Sequence, residues 1–403
     1  MSRAPRRERI DFLITEVSVQ IRPIHAFDPV HCLVRKKTSP IMLLPTFENV
    51  SLPILIAVFA AVAAIIWLAG IYLSDSTDLL STRWGMGEAL GGLILLSVVT
   101  NLPELAITAS GALHHDLGIA VGNILGGIAI QTVVLAVLDV VGVGKSAPLT
   151  YRSASLTLVL EGALVIAVLT VCIMGTQLPA SLIFAHITPD GLAIMMLWIG
   201  GLWLIGKSRT ELQWQDEKHA PDSQDEWRGY VKLKKLQVAR NRNVSTARSV
   251  AMFAIAALVT LVCGVVLEQT GSAIAKQIGM NGMLFGATAL AAATALPELS
   301  TGLSSIKLGD YQLAVSDIFG GNAFLPVLFL LATLLSGEAV LPHAQKADIY
   351  LTALGILLTV VYVTGLIFRS RMQIACMGLD SFAVVVFYVV GIIGLFAIAG
   401  GSI

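Results

Sequence analysis

Residues 100–127 read TNLPELAITASGALHHDLGIAVGNILGG, and residues 294–321 read TALPELSTGLSSIKLGDYQLAVSDIFGG. The two stretches align without a gap at a constant offset of 194, with 12 identities in 28 positions. Thr100/Thr294, Pro103/Pro297, Glu104/Glu298, Gly126/Gly320 and Gly127/Gly321 are among the identities. These are residue types that a lipid-facing helix has least reason to carry, so the duplication points to a site rather than to a packing motif.

The surroundings are those of a membrane protein. Of 403 residues, 56% are hydrophobic and 13% charged, with mean hydropathy +0.82, far from the balance of a soluble domain. Apolar stretches at 51–73, 87–112, 117–142, 153–174, 188–206, 249–268, 279–306, 311–336, 347–368 and 377–400 are each long enough, or nearly so, for a helix to cross hydrocarbon. The fold class expected is therefore all-α and polytopic, with about ten transmembrane helices. Charges interrupt 87–112 and 279–306, the two stretches that hold the Pro-Glu pairs.

The charges predict sidedness. Lys plus Arg and Asp plus Glu each total 26, yet residues 207–248 alone hold ten lysines and arginines. By the positive-inside rule this central segment is cytoplasmic. Alternation then places Arg83, Lys145, Arg152, Lys307, Arg369 and Arg371 on the same side and only Lys276 and Lys346 opposite. Both termini are expected outside. Arg3, Arg6, Arg7, Arg9, Arg22, Arg35, Lys36 and Lys37 contradict that placement, and the segment lacks the apolar core and cleavage site of a signal peptide. The preferred reading is a 1–50 tail that is not native before Met42. A first half at 51–206, a cytoplasmic linker at 207–248 and a second half at 249–403 follow. Five spans separate the two copies, so the second enters the membrane from the opposite side, giving a 5+5 inverted repeat. That architecture belongs to secondary transporters with a site at the bilayer midplane.

The proline and the glutamate then have a physical account. Pro103 has no amide hydrogen and crowds the Val99 carbonyl, which loses its helical partner at mid-span. A freed oxygen in hydrocarbon needs water, a side chain or a cation. Glu104 and Thr100 stand one turn apart on one face, and Glu298, Thr294 and the Ala293 carbonyl repeat the set. Calcium takes 6–8 oxygen ligands, and two carboxylates neutralise its charge. In the following helix Asn123, Gly127 and Gln131 are spaced by four, as are Asp317, Gly321 and Leu325. Asp317 offers a third carboxylate, while the glycine pairs are credited chiefly with close helix packing.

The two repeats resemble the alpha repeats of the calcium/cation antiporter superfamily, which carry Thr-Ser-Leu-Pro-Glu and then Gly-Asn-x-x-Gly-Ser-Asn-x-x-Asn. Here the first copy reads Thr100 to Glu104 with Gly122 to Gln131, and the second Thr294 to Glu298 with Ser316 to Leu325. The resemblance covers about 51–403. It implies a calcium site from Glu104 and Glu298 with help from Thr100 and Thr294, and sodium sites built from several of the altered positions; Asn101, Asn123, Gln131, Asp317 and Asn322 complete the candidate cation-binding residues. The departures are Asn101 and Ala295 for a hydroxyl residue, Gly127 and Gly321 for serine, and Gln131 and Leu325 for Asn or Asp. The resemblance places sodium/calcium exchange first; because Ala295, Gly321 and Leu325 offer no side-chain oxygen, proton/calcium exchange is the alternative.

Other residues read as structural. Glu161 is expected to pair with Arg152, Asp139 reads the same way, and His114, His115 and Asp116 form a solvated outer turn. Cys32, Cys172, Cys263 and Cys376 have no disulfide or zinc spacing and read as small hydrophobes. The spans hold no nucleophile or metal motif of an enzyme. An intramembrane protease is disfavoured because it would be expected to use two aspartates and would not need a duplication, and a channel because an inverted repeat implies alternating access. No cofactor and no nucleic-acid partner are expected. The expected partners are the lipid bilayer and the transported cations, in the cell membrane or, in a bacterium, the inner membrane.

Overall fold

The computed structural model describes residues 47, 50–83, 92–144, 147–211 and 245–400. Cys32, the expected start at Met42 and most of the central charged segment lie outside them. Among the described residues nine helices are long and apolar enough to cross a membrane. The tenth expected span, 87–112, is present as two shorter helices, Gly92–Thr100 and Leu102–Leu113.

The break between those two helices is at Asn101 (φ −88°, ψ 17°), with Pro103 in the first turn of the second piece. The other Pro-Glu segment breaks at the equivalent place: Ala291–Thr294 ends at Ala295 (φ −80°, ψ 1°), and Leu296–Lys307 begins with Pro297 in its first turn. Proline is tolerated in a first turn because its missing amide would have no helical partner there. Each glutamate thus stands at a helix N-terminus inside the membrane, where backbone amides favour negative charge.

Three segments form the interior. The most apolar stretches of Leu117–Val143, Gly282–Lys307 and Tyr311–Ser336 are 72%, 67% and 78% buried, against 17% for Pro189–Ser208 and Leu379–Ala399. The last two present large side chains such as Trp203 and Ile393 outward, as lipid-facing helices do. Packing between the inner segments relies on small residues, since lipid tails are as apolar as leucine. Gly126 lies directly against the Ala287 backbone, leaving no space for a Cβ.

The long helices Leu52–Arg83 and Thr246–Gln277 run along each other, and each also packs on a Pro-Glu helix. An added Cβ on Gly70 would stand 2.8 Å from Pro297 Cβ, and one on Gly264 would stand 2.8 Å from the Pro103 carbonyl oxygen. Residues 70 and 264 differ by the same 194 as the repeats. Each half's first helix therefore touches the proline of the other half's broken helix.

Basic residues from several loops gather at one end. Arg369 donates to the Ala154 carbonyl at 2.9 Å, Arg371 to the Tyr151 hydroxyl, and Arg152 to the Tyr311 hydroxyl at 2.8 Å. Asp139 at that end does not follow the expected acid–arginine pattern. It is fully buried and accepts from the Leu149 and Gly378 amides and the Ser381 hydroxyl at 2.7–2.8 Å. Glu161 accepts a hydrogen bond from Ser316, a tie between the two halves. Cys172 and Cys263 are buried, whereas Cys376 is half-buried at a hairpin turn between Ile374 and Met377. At the other end His114 and His115 are exposed, as expected of a solvated turn, with His115 3.6 Å from Glu338, while Asp116 accepts from Ser272 at 2.7 Å.

The contact of Gly264 with the Pro103 segment gives a direct test of this packing. Gly264→Val, which overfills the contact, should destabilise the protein by about 1–3 kcal/mol, read as a lower unfolding temperature in detergent. Gly200→Ala, with nothing within 4 Å of its added Cβ, should leave that temperature unchanged. Equal unfolding temperatures for the two variants would contradict the packing described.

Candidate cation site

Glu104 and Glu298 are each 0% exposed and lie within each other's electrostatic reach. The hydroxyls cross between halves. Thr294 lies near Glu104 and Thr100 near Glu298, neither making a well-formed hydrogen bond to the acid. The helices that follow cross in the same way: Thr100 Oγ1 donates to Asp317 Oδ1 at 3.5 Å, and Thr294 Oγ1 to Asn123 Oδ1 at 3.4 Å. Thr100 and Thr294 share the repeat offset, as do Asn123 and Asp317. The four broken-helix and following-helix segments therefore meet as a pseudosymmetric pair.

Within that frame the two carboxylates differ. Neither oxygen of Glu104 has a well-formed hydrogen-bond donor, nor does Glu298 Oε2. Glu298 Oε1, in contrast, accepts from Gln131 Nε2 at 3.3 Å. Gln131 Nε2 also donates to Asn101 Oδ1 at 3.0 Å, and Asn101 Nδ2 to the Ser97 carbonyl at 2.6 Å. A buried polar atom without a partner costs about 1–3 kcal/mol, more when charged. Among the described residues neither glutamate is paired with a lysine or arginine. A cation of small radius satisfies such oxygens, and the donor set of carboxylate, hydroxyl and amide oxygens suits a hard one.

Asp317 stands beside this centre rather than bare within it. Its Oδ2 accepts from Thr301 at 2.6 Å while its Oδ1 takes Thr100. Asn322 Nδ2 donates to Thr132 Oγ1 at 3.1 Å, with its Oδ1 unpartnered. All nine candidate residues, Thr100, Asn101, Glu104, Asn123, Gln131, Thr294, Glu298, Asp317 and Asn322, are buried. No cluster of three His, Cys, Asp or Glu side chains suited to chelating a metal occurs among the described residues.

Sequence reading missed three participants. Thr301, Ser97 and Thr132 hold Asp317, Asn101 and Asn322 respectively. Thr301 follows Glu298 by one helical turn, a spacing visible in the sequence; Ser97 and Thr132 carried no comparable signal. The view of the glycine pairs as close-packing residues holds for Gly126 and for Gly321 but not for Gly127. A Cβ on Gly127 would meet only Leu325, at 3.4 Å, and one on Gly321 would meet the side chains of Asn101 and Gln131.

Comparison with known proteins adds three findings. The family model described as "Sodium/calcium exchanger protein" matches residues 54–206 and 248–397. The inner membrane protein YrbG of Escherichia coli (strain K12) is 26% identical over 68% of this chain and 77% of its own, and the putative antiporter CaxA of Alkalimonas amylolytica is 26% identical over 72% and 82%. The solved structure of the sodium-calcium exchanger NCX_Mj soaked with 100 mM Na+ and 10 mM Sr2+ superposes with a TM-score of 0.54 at 14% identity, over 85% of this chain and 99% of that one.

A single cation held by both glutamates would satisfy their donor-less oxygens. Glu104→Gln and Glu298→Gln, each nearly isosteric, should each weaken equilibrium calcium-45 binding to the purified protein by roughly tenfold or more, the worth of one charge-assisted contact. Both variants should still purify as folded membrane protein. Binding unchanged in either would remove that residue from the site.

Proposed function

This chain belongs to the sodium/calcium exchanger protein family, and we propose that it is a secondary active antiporter exchanging calcium for sodium by alternating access at a site between its two Pro-Glu helices. One observation carries the reading: two fully buried carboxylates at symmetry-related helix breaks, with three of their four oxygens lacking a donor. Thr100, Thr294 and Asn123 each add an oxygen with a lone pair to spare, so six oxygens are at hand. Six is the lower bound of calcium coordination, and two carboxylates match its charge.

In this reading the carboxylates must be neutralised before the site can face either side, since crossing the bilayer with bare charge costs several kcal/mol per ion. Calcium neutralises both at once. Counter-ions must do the same on the return, which is the physical basis of obligatory exchange. The broken helices allow the outer and inner pieces of each Pro-Glu segment to be gated apart. Gly70 and Gly264, seated on the opposite half's Pro-Glu segment, couple each gate to the helix beside it.

Protons are the second candidate counter-ion, favoured by one specific observation. Ala295, Gly321 and Leu325 supply no side-chain oxygen, whereas Glu104 and Asp317 each lie within electrostatic reach of Glu298, and a proton needs only one carboxylate. The membrane orientation belongs to the same proposal: both termini outside and the central segment cytoplasmic.

Calcium-45 uptake into proteoliposomes separates the two counter-ions. Uptake should follow an imposed sodium gradient at constant pH, and Asp317→Asn should shift apparent cation affinity without abolishing it. Uptake driven by a pH gradient, indifferent to sodium and lost in Asp317→Asn, would assign the counter-ion to protons instead.

Orientation has its own test. A reporter fused after Ile403 should be active only outside the cytoplasm, and one inserted at 220 only inside. The reverse pattern would overturn the assigned sidedness.

A further inference from the structure

The two halves of the site are not chemically equivalent, and the difference lies in one pair of positions. Gln131 and Leu325 are counterparts at the 194 offset. Gln131 reaches across to the glycine of the other half: a Cβ on Gly321 would stand 3.3 Å from Gln131 Oε1 and 2.7 Å from Asn101 Nδ2. Leu325 does the same toward Gly127, with its Cδ1 3.4 Å from where that Cβ would be. The place that holds an amide beside Glu298 therefore holds a methyl group on the Glu104 side.

The amide's orientation is fixed by its neighbours. The Ser97 carbonyl can only accept, so Asn101 turns Nδ2 toward it at 2.6 Å and presents Oδ1 to Gln131. Asn101 Oδ1 and Glu298 Oε1 are both acceptors, so Gln131 must offer them its NH2 group, at 3.0 and 3.3 Å. The result is a chain from Ser97 through Asn101 and Gln131 to Glu298 that spans both halves. Its second-half counterparts are Ala291, Ala295 and Leu325, which cannot form one.

We propose that the Gln131 amide is a built-in substitute for a monovalent cation: it occupies Glu298 Oε1 and closes that oxygen to a counter-ion, so Gln131 sets how many monovalent ions the site takes. Glu104, which has no such donor, remains the open side. The smallness of Gly321 is what admits the tether, and the Gly321 and Asn101 departures from the family's pattern become parts of one device. The proposal rests on the cation-antiporter reading.

Equilibrium competition tests it without reference to which gradient drives transport. Calcium-45 binding to the purified protein is titrated with sodium chloride at constant pH and ionic strength. In Gln131→Leu, freed Glu298 Oε1 and Asn101 Oδ1 admit an additional sodium ion, and the Hill coefficient of sodium competition should rise by about one. Gln131→Met keeps the length but offers no donor, and should steepen the curve likewise; it decides the matter where Gln131→Leu does not fold. The reciprocal change, Leu325→Gln, brings an amide donor to the Glu104 side and should weaken calcium binding by roughly tenfold, an effect that loss of packing at Gln131 would not foretell. Wild-type sodium curves in a folded Gln131 variant, with calcium binding intact, overturn the tether alone. A wild-type protein that binds no calcium overturns the antiporter reading and the tether with it.

Discussion

Two carboxylates buried side by side without a basic partner are the constraint on which the structure depends. Leaving either charge bare in hydrocarbon costs several kcal/mol, and the two repel each other. The chain meets this by ending one helix and starting another at each glutamate, so that helix N-termini and crossing threonines face the acids. That arrangement lowers the cost without removing it, since three carboxylate oxygens still lack a donor. A cation or protons would meet the remaining shortfall, which is the demand the proposed exchange answers.

The rest of the fold serves that pair. The following helices cross so that Asn123 and Asp317 each brace the threonine of the opposite half. The long helices bearing Gly70 and Gly264 clasp the opposite half's Pro-Glu segments. Asp139, with three donors converging on it, ties the C-terminal hairpin and last helix to the first half. It is a buried acid fully satisfied by the protein, in contrast to Glu104, whose two oxygens lack a donor.

Much of this is legible in the sequence because it is written twice. The offset of 194 locates both Pro-Glu breaks, and the structure places them at Asn101 and Ala295, immediately before the expected helices. The same offset joins Gly70 to Gly264, outside the repeat as first drawn and therefore missed. What did not show is what breaks the symmetry or depends on distant partners. Gln131 lies thirty residues from Asn101 and in another helix, so a stripe of polar residues at helical spacing could not reveal that its amide ties Glu298 down. Asp139 resembled an acid awaiting an arginine because its real partners are two backbone amides and a serine far along the chain. The tenth span was legible as hydropathy, but its helix is cut in two at Asn101, just ahead of Pro103.

The central claim is that Glu104 and Glu298 hold one ion between them. Anomalous diffraction from crystals soaked with strontium tests it most directly. The account predicts a single peak in each chain within the membrane region, at about 2.5 Å from oxygens of both carboxylates. A peak bound by only one of the two acids, or located away from both, would contradict it.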